Sequence, residues 1–225
     1  VTDLLNAAAP APAAASTSAA AAPAATPSPG TRLADDALAA LFTDARTART
    51  FADTPVSDEQ LAGIWELARW APTSSNLQPL RVVFVQSPEA RERLVSHMAD
   101  GNKARIASAP AVALLAVDTR FHEHVPTVLP TRPEMEQTLA GNDTMRAYLG
   151  DFNSAMQAGY FVLATRAQGL AAGPMGGFDK AATDADFFPD GRLRSILVVA
   201  IGHPGANPWH DRQPRLDPAE AVAWA

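Results

Sequence analysis

The sequence predicts an α+β fold in which a sheet is flanked by helices. Three runs, Arg81–Gln86 (RVVFVQ), Pro110–Val117 (PAVALLAV) and Ile196–Gly202 (ILVVAIG), have the apolar, β-branched content and the length of strands. The segments between them read mostly as amphipathic helices, which outnumber the strands. The two kinds of element alternate irregularly, unlike the even spacing of a regular βαβ array.

The first helical pattern runs from Leu33 to Ala45, where Leu33, Ala37, Leu38, Leu41 and Phe42 recur at helical spacing and Asp35 and Asp36 occupy the first turn. Ser57 starts the second helix as its N-cap; Gln60 completes a capping box, and Val56 with Leu61 staples the entry. The apolar stripe of that helix is Leu61, Ile64, Trp65 and Ala68, and it ends at Trp70. Ser87 and Pro88 open a third helix that reaches about Ala99 and breaks at Gly101–Asn102, with Lys103–Ser108 as a further short helix. Pro110–Val117 is apolar on both faces and reads as a central strand. Asp118–Gly150 holds three prolines and little periodicity, an irregular insert of the kind that forms lids and binding loops. Asp151–Gln168 is the longest helical pattern, with Gly169 as its stop.

Ahead of these elements the chain is dominated by Ala and Pro and lacks large apolar side chains, so a disordered tail is expected over residues 1–32 and a folded domain over residues 33–225. The tail has neither the basic start nor the apolar stretch of a secretory signal. No run approaches the length of a membrane span. The net charge of −6 argues against nucleic acid and anionic membranes as partners. Cysteine is absent, which excludes disulfides, thiolate metal sites and a cysteine nucleophile, and suits a cytoplasmic protein. His122–Glu123–His124 lacks a third ligand at a recurring spacing, so no metal site is expected.

Several stretches carry chemistry. Trp70–Leu80 (WAPTSSNLQPL) holds Thr73, Ser74, Ser75, Asn76 and Gln78 between Pro72 and Pro79, either as an ordinary connection or as a lining for something polar and planar. Arg46 and Arg49, with Thr47 between them, suit either a bidentate grip on a phosphate or a solvated helix end. In Gly173–Asp179 (GPMGGFD), Gly176 and Gly177 make a plain turn or allow close approach of backbone to a flat ligand. Arg212 and Arg215 lie in a proline-containing segment near the end. The hydrolase elbow, the P-loop and the Rossmann glycine fingerprint are all missing. These parts suit a cofactor pocket in which the bound molecule supplies the chemistry.

The motifs also fall in a telling order: R-T-x-R-x-F at Arg46–Phe51, A-P-T-S-S-N-x-Q-P at Ala71–Pro79, G-N at Gly101–Asn102, G-P-M-G-G-F-D at Gly173–Asp179 and P-R-L at Pro214–Leu216. With them the sequence resembles the FMN-dependent nitroreductase family over Leu33–Ala225. The run Asn153–Asp179 and the ADFF at Ala185–Phe188 look most like its malonic semialdehyde reductase subgroup, of pyrimidine degradation. The resemblance implies a central mixed sheet flanked by helices, in a domain-swapped homodimer with two FMN sites at its interface. It implies that Arg46 and Thr47 hold the FMN phosphate and ribityl chain, that Arg49 reaches the flavin ring, and that Arg215 closes on the phosphate. Arg212 would stand in for a basic residue at the position of Gln213. Thr73, Ser74, Asn76 and Gln78 would line the flavin, partly from the opposite subunit, and Asn102 would bond the ring's polar edge. Pro174, Gly176 and Gly177 would form the turn whose backbone faces flavin N5. The implied reaction moves hydride from NADH or NADPH through N5 to a small aldehyde, nitroaromatic or quinone, including malonic semialdehyde to 3-hydroxypropanoate, with no side-chain nucleophile. Binding of flavin without turnover is the alternative. Gly176 stands where many members carry an acidic residue, and Leu80 where many carry an aromatic.

Overall fold

The computed structural model describes residues 30–225, so nearly all of the expected tail lies outside the described residues. The helices are α1 (Asp35–Leu38, continued by a π-helical turn, Ala39–Thr43), α2 (Asp58–Ala68), α3 (Pro88–His97), α4 (Asp100–Ser108), α5 (Val125–Val128), α6 (Met135–Ala140), α7 (Asp143–Ala167), α8 (Lys180–Phe187) and α9 (Pro218–Ala221). The strands are β1 (Leu80–Phe84), β2 (Ala111–Asp118), β3 (Ala171–Met175) and β4 (Leu193–Gly202).

The strands form one sheet in the order β1-β2-β4-β3, and every neighbouring pair is antiparallel. The mixed sheet expected from the resemblance is therefore corrected within this chain. Two helices, α3 and α4, separate β1 from β2; each reverses the chain once, so β2 returns opposed to β1, whereas a single crossover helix gives a parallel neighbour.

Helices cover both faces of the sheet. On one, Leu61 and Ile64 of α2 and Ala158 and Phe161 of α7 pack with Leu80, Ala113, Leu115 and Val199. On the other, Leu94 of α3, Ile106 of α4 and Phe187 of α8 pack with Leu114, Val198 and Ala200. Successive residues of β2 alternate between these two cores, as strand geometry requires, and its whole length is buried, as expected of a central strand. The capping box at Ser57 forms as predicted: the Gln60 N–H donates to Ser57 Oγ at 3.2 Å and the Ser57 N–H to Gln60 Oε1 at 3.0 Å.

Four expectations change. The break after α3 falls at Met98 and Ala99, both extended, while Gly101 and Asn102 lie in the first turn of α4, where a helix interior's demands do not yet apply. The insert predicted as irregular is mostly helical; its pieces are one or two turns long, too short to show periodicity, and gather over a small core of Leu77, Phe121, Val125 and Leu139. The long helix begins at Asp143 under an Asn142 cap rather than at Asp151. Finally, β3 and α8 occupy stretches read only as a glycine-rich turn and its sequel. As an edge strand, β3 tolerates Pro174.

Candidate functional site

Arg46, Thr47 and Arg49 lie on the extended segment between α1 and α2, and the chain beyond β4 returns alongside it. Phe51 bridges Pro204, the Ala52 N–H donates to His203 O at 2.9 Å, the Gly205 N–H to Thr50 O at 3.0 Å, and the Arg49 N–H to Pro208 O at 2.9 Å. Gly205 permits this approach, since a Cβ there would lie 2.7 Å from the Phe51 backbone. The pairing brings His210, Arg212 and Arg215 to Arg46, Thr47 and Arg49 around a cleft of about 230 Å³. Arg46 Nη1 donates to the His210 carbonyl at 3.2 Å, and Arg212 Nη2 to the Ala45 carbonyl at 3.2 Å. Arg49 Nη1 stands 3.4 Å from His210 Nδ1, and Arg215 Nη1 donates to Gln213 O and Pro214 O.

Arg105 enters the same cleft from α4. It is not among the residues the motifs single out, although it lies three positions after Asn102 and so shares a helix face with it. Its Nε is buried and without a partner among the described residues. Burial first, and the Arg49 charge second, pull its guanidinium below the usual arginine range. Five guanidiniums thus surround one small cleft, and among the described residues none is ion-paired with a carboxylate. Like charges so gathered repel, and an entering anion relieves that repulsion.

A second group converges beside this cleft's helix. The Gly177 carbonyl accepts from the Ala99 N–H and from Asn102 Nδ2, each at 3.0 Å, while Met98 bridges Phe178. A Cβ on Gly177 would fall 2.9 Å from Asn102 Nδ2, so a larger residue there would displace that amide from its present place; a Cβ on Gly176 would meet nothing within 4 Å. Pro174 is half-buried in β3 opposite Val199.

The Thr73–Gln78 loop does not join either group within one chain. It forms a 3₁₀ turn over Ser74–Asn76, and Gln78 lines a separate, larger cleft of about 690 Å³ along the free edge of β1, with Trp65, Phe84, Arg81, Asp118, His124 and Arg192. The carboxylate at the base of that cleft, Asp118, is fully buried and accepts from Arg81 Nη2 at 2.8 Å, Arg192 Nε at 3.1 Å and the Arg120 N–H at 2.9 Å. Burial pushes this carboxyl up, but the Arg192 hydrogen bond and the Arg81 charge outweigh it and hold Asp118 below the usual carboxylate range. His124 Nε2 is 3.8 Å from Asp118, and burial keeps its imidazole below the ordinary value. Among the described residues there is no group of three or more His, Cys, Asp or Glu that could hold a metal, and no helix is long and apolar enough to cross a membrane.

The nitroreductase family pattern matches residues 43–203. The chain belongs to the nitroreductase family. It is 58% identical over 197 residues, 88% of this chain and 98% of the other, to a Streptomyces coelicolor protein that carries the provisional name NADH dehydrogenase/NAD(P)H nitroreductase. Among solved structures, a Bacillus subtilis nitroreductase matches with a TM-score of 0.74 at 21% identity, covering 84% of this chain and 98% of that one. An Exiguobacterium sibiricum nitroreductase in complex with FMN matches with a TM-score of 0.73 at 21% identity, covering 87% of this chain and all of the other.

In this nitroreductase-family chain, then, Arg46, Thr47, Arg49, Arg212 and Arg215 line one cleft together with Arg105 and His210. The chain pairs Asn102 with Gly177 and keeps Thr73, Ser74, Asn76 and Gln78 apart from both.

Proposed function

We propose that this nitroreductase-family chain is an FMN-dependent oxidoreductase that passes hydride from NADH or NADPH to a small oxidised substrate. The observation that carries this reading is the cleft of five guanidiniums, outnumbering the single carboxylate of Asp211 on its rim and none ion-paired among the described residues, in a chain whose net charge is −6. Its donors suit a phosphate monoester: planar forks that bond oxygen pairs, beside the Thr47 hydroxyl. The orphaned Arg105 Nε leaves a further donor to be satisfied there.

Arg46, Arg49, Arg105, Arg212 and Arg215 with Thr47 would hold the phosphate and ribityl chain. Asn102, Pro174, Gly176 and Gly177 would flank the ring, and Thr73, Ser74, Asn76 and Gln78 would line it. Bound FMN supplies a centre that accepts and donates hydride. The chain's own groups bind and orient the ligands, and place cations where negative charge builds on reduction, which favours the reduced form. The name of the Streptomyces relative supports a nicotinamide donor, and the FMN in the Exiguobacterium structure supports the flavin.

Because the polar loop and the arginine cleft lie apart in one chain, we propose a homodimer in which each flavin takes its loop from the second copy. Two exposed features support it. Tyr148, Phe152, Met156 and Tyr160 form an apolar stripe along α7, and the C-terminal segment leaves Leu216, Val222 and Trp224 uncovered. Acceptors would be small aldehydes, nitroaromatics or quinones. Malonic semialdehyde is proposed first among them, on the resemblance of Asn153–Asp179 and Ala185–Phe188 to that subgroup, and a cytoplasmic location is proposed on the absence of cysteine.

The test is anaerobic reduction of the purified protein by NADH and by NADPH, followed by reoxidation with an acceptor panel that includes malonic semialdehyde. A yellow, dimeric protein bleached by one or both donors is expected. A colourless protein that does not quench added FMN fluorescence would sink the reading, and flavin that binds but is never reduced would point to a non-catalytic flavin carrier.

A further inference from the structure

We infer that Asn153 and Gln157, one turn apart on α7, are positioning residues: a two-amide clamp that holds the Thr73–Gln78 loop in a strained shape in which the Ser74 and Ser75 hydroxyls are free for a ligand. The inference rests on the flavin reading only for the identity of that ligand.

The strain is local and specific. The non-glycine residues with positive φ among the described residues are Ser75 (51°), Asn76 (53°), Gln78 (45°) and Asn207 (47°), so three of the four fall within four residues of this loop. A side chain in that region crowds its own backbone; asparagine tolerates it, serine and glutamine less readily. A strained stretch persists only where its surroundings over-determine it.

Here the surroundings can be named. The Ser74 N–H, at the loop's entry, donates to Asn153 Oδ1 at 2.8 Å, and Asn153 Nδ2 donates back to Leu149 O at 2.8 Å, which locks that amide against its own helix. The Leu80 N–H, at the exit, donates to Gln157 Oε1 at 3.0 Å. The two anchors are buried, Asn153 at 0% and Gln157 at 1% exposure. Their separation along the helix, four residues or about 6 Å, sets the span across which the loop must close. Between the anchors the loop binds itself and its neighbour: the Gln78 N–H donates to Thr73 Oγ1 at 3.3 Å, Gln78 Nε2 to Asn76 Oδ1 at 3.0 Å, and Asn76 Nδ2 to Val128 O at 2.7 Å. The Ser74 and Ser75 hydroxyls bond no protein group among the described residues.

Gln157 discriminates this role from general stability. Its Nε2 is buried with no partner, beside the apolar residues Ala158 and Phe161 of the same core. A leucine or methionine would fill the space without burying the unpaired Nε2, but would leave the buried Leu80 N–H without its acceptor, so the glutamine is useful here through its carbonyl. What that carbonyl does is fix the end of the loop.

The experiment uses the full-length protein as purified, with Gln157→Leu, Gln157→Glu and Asn153→Ala variants. Two quantities are read: hydrogen exchange of the Ser74 and Leu80 amides, and the rate of FMN release on dilution. Gln157→Leu is expected to keep a cooperative melt, to lose protection at Leu80 and to release FMN about tenfold faster. Gln157→Glu retains an oxygen acceptor and should return release to within about threefold of wild type. Asn153→Ala should deprotect Ser74 and speed release, and combining it with Gln157→Leu should cost less than the product of the two, since both anchor one loop. Unchanged Leu80 exchange and FMN release in a folded Gln157→Leu protein would overturn the clamp, as would Gln157→Glu behaving like Gln157→Leu. A wild-type protein that binds no flavin defeats the cofactor reading instead; the amide exchange then decides separately whether the clamp exists.

Discussion

Arg46 and Arg49 sit on the extended segment beyond the first helical element, and Arg212 and Arg215 reach the same cleft from the far end of the chain. An arginine so placed, not ion-paired with a carboxylate among the described residues, contributes mainly through the ligand it grips. Replacing Arg46 by alanine is expected to weaken FMN binding by one to two orders of magnitude, roughly 1.5–3 kcal/mol for a charged hydrogen bond, as read by fluorescence titration; unchanged flavin retention would remove Arg46 from the site. Arg105→Gln tests the residue that no motif marks. Its guanidinium is held down by burial and by Arg49, so losing it relieves repulsion in the empty cleft while removing a donor from the filled one. The variant should bind FMN more weakly, and its affinity should fall less steeply with added salt than that of wild type. Arg46, Arg49 and Arg215 are legible in the sequence because each lies in a short matching motif, and Arg212 because it stands just ahead of one. Arg105 is not, because only the packing of α4 beside β3 decides that it faces the cleft; a helical register counted from Asn102 is the one signal that reaches it.

At the scale of elements, what is legible depends on whether the determinants are local. Ser57 and Gln60 specify the start of α2 through four consecutive residues, and the structure forms both hydrogen bonds. Ser57→Ala should therefore cost about 1 kcal/mol of stability, typical of a lost N-cap, measured as a lower urea midpoint at constant slope. The end of α7 is equally local: Gly169 takes φ of +73°, a conformation that suits glycine. The start of α7 is less legible, since Asn142 supplies only a single capping bond and the first two turns lack the small-residue pattern that marks the rest. β3 is hidden for a different reason. Ala171–Met175 contains a glycine and a proline, and becomes a strand only because β4 offers it an edge to pair with. The helices of the insert are likewise held by Phe121, Val125 and Leu139 packing beneath Leu77, a contact between distant stretches that periodicity within either cannot reveal.

Across the whole molecule, the sheet's direction and the insert's attachment both rest on contacts remote in sequence, and the insert is tied to the sheet through titratable groups. Asp118 at the end of β2 binds Arg192, which also reaches Glu123 at 3.3 Å, while His122 and His124 lie within the same short 3₁₀ turn. Burial holds both imidazoles below the ordinary value, with Arg146 adding to the effect at His122 and Arg81 at His124. The unfolded chain therefore takes up those protons near pH 6.5, typical of a free imidazole, before the folded one does, and stability declines as pH falls through that value. Asp118 acts in the same direction at lower pH. Its folded carboxyl gives up its proton more readily than an unfolded one, so its contribution is complete above about pH 4 and is lost as pH falls through the depressed folded value. The melting temperature should be level between about pH 7 and 8, decline gently below about 6.5, and fall more steeply below about 4. Substituting His124 by glutamine should flatten part of the gentle limb. Asp118→Asn should lower the neutral plateau, because Arg81 and Arg192 lose the carboxylate between them, and should also shrink the steep limb. A wild-type melting temperature that stays constant from pH 7 down to about 4.5 would show that the two imidazoles accept protons in the folded protein as readily as in the unfolded chain.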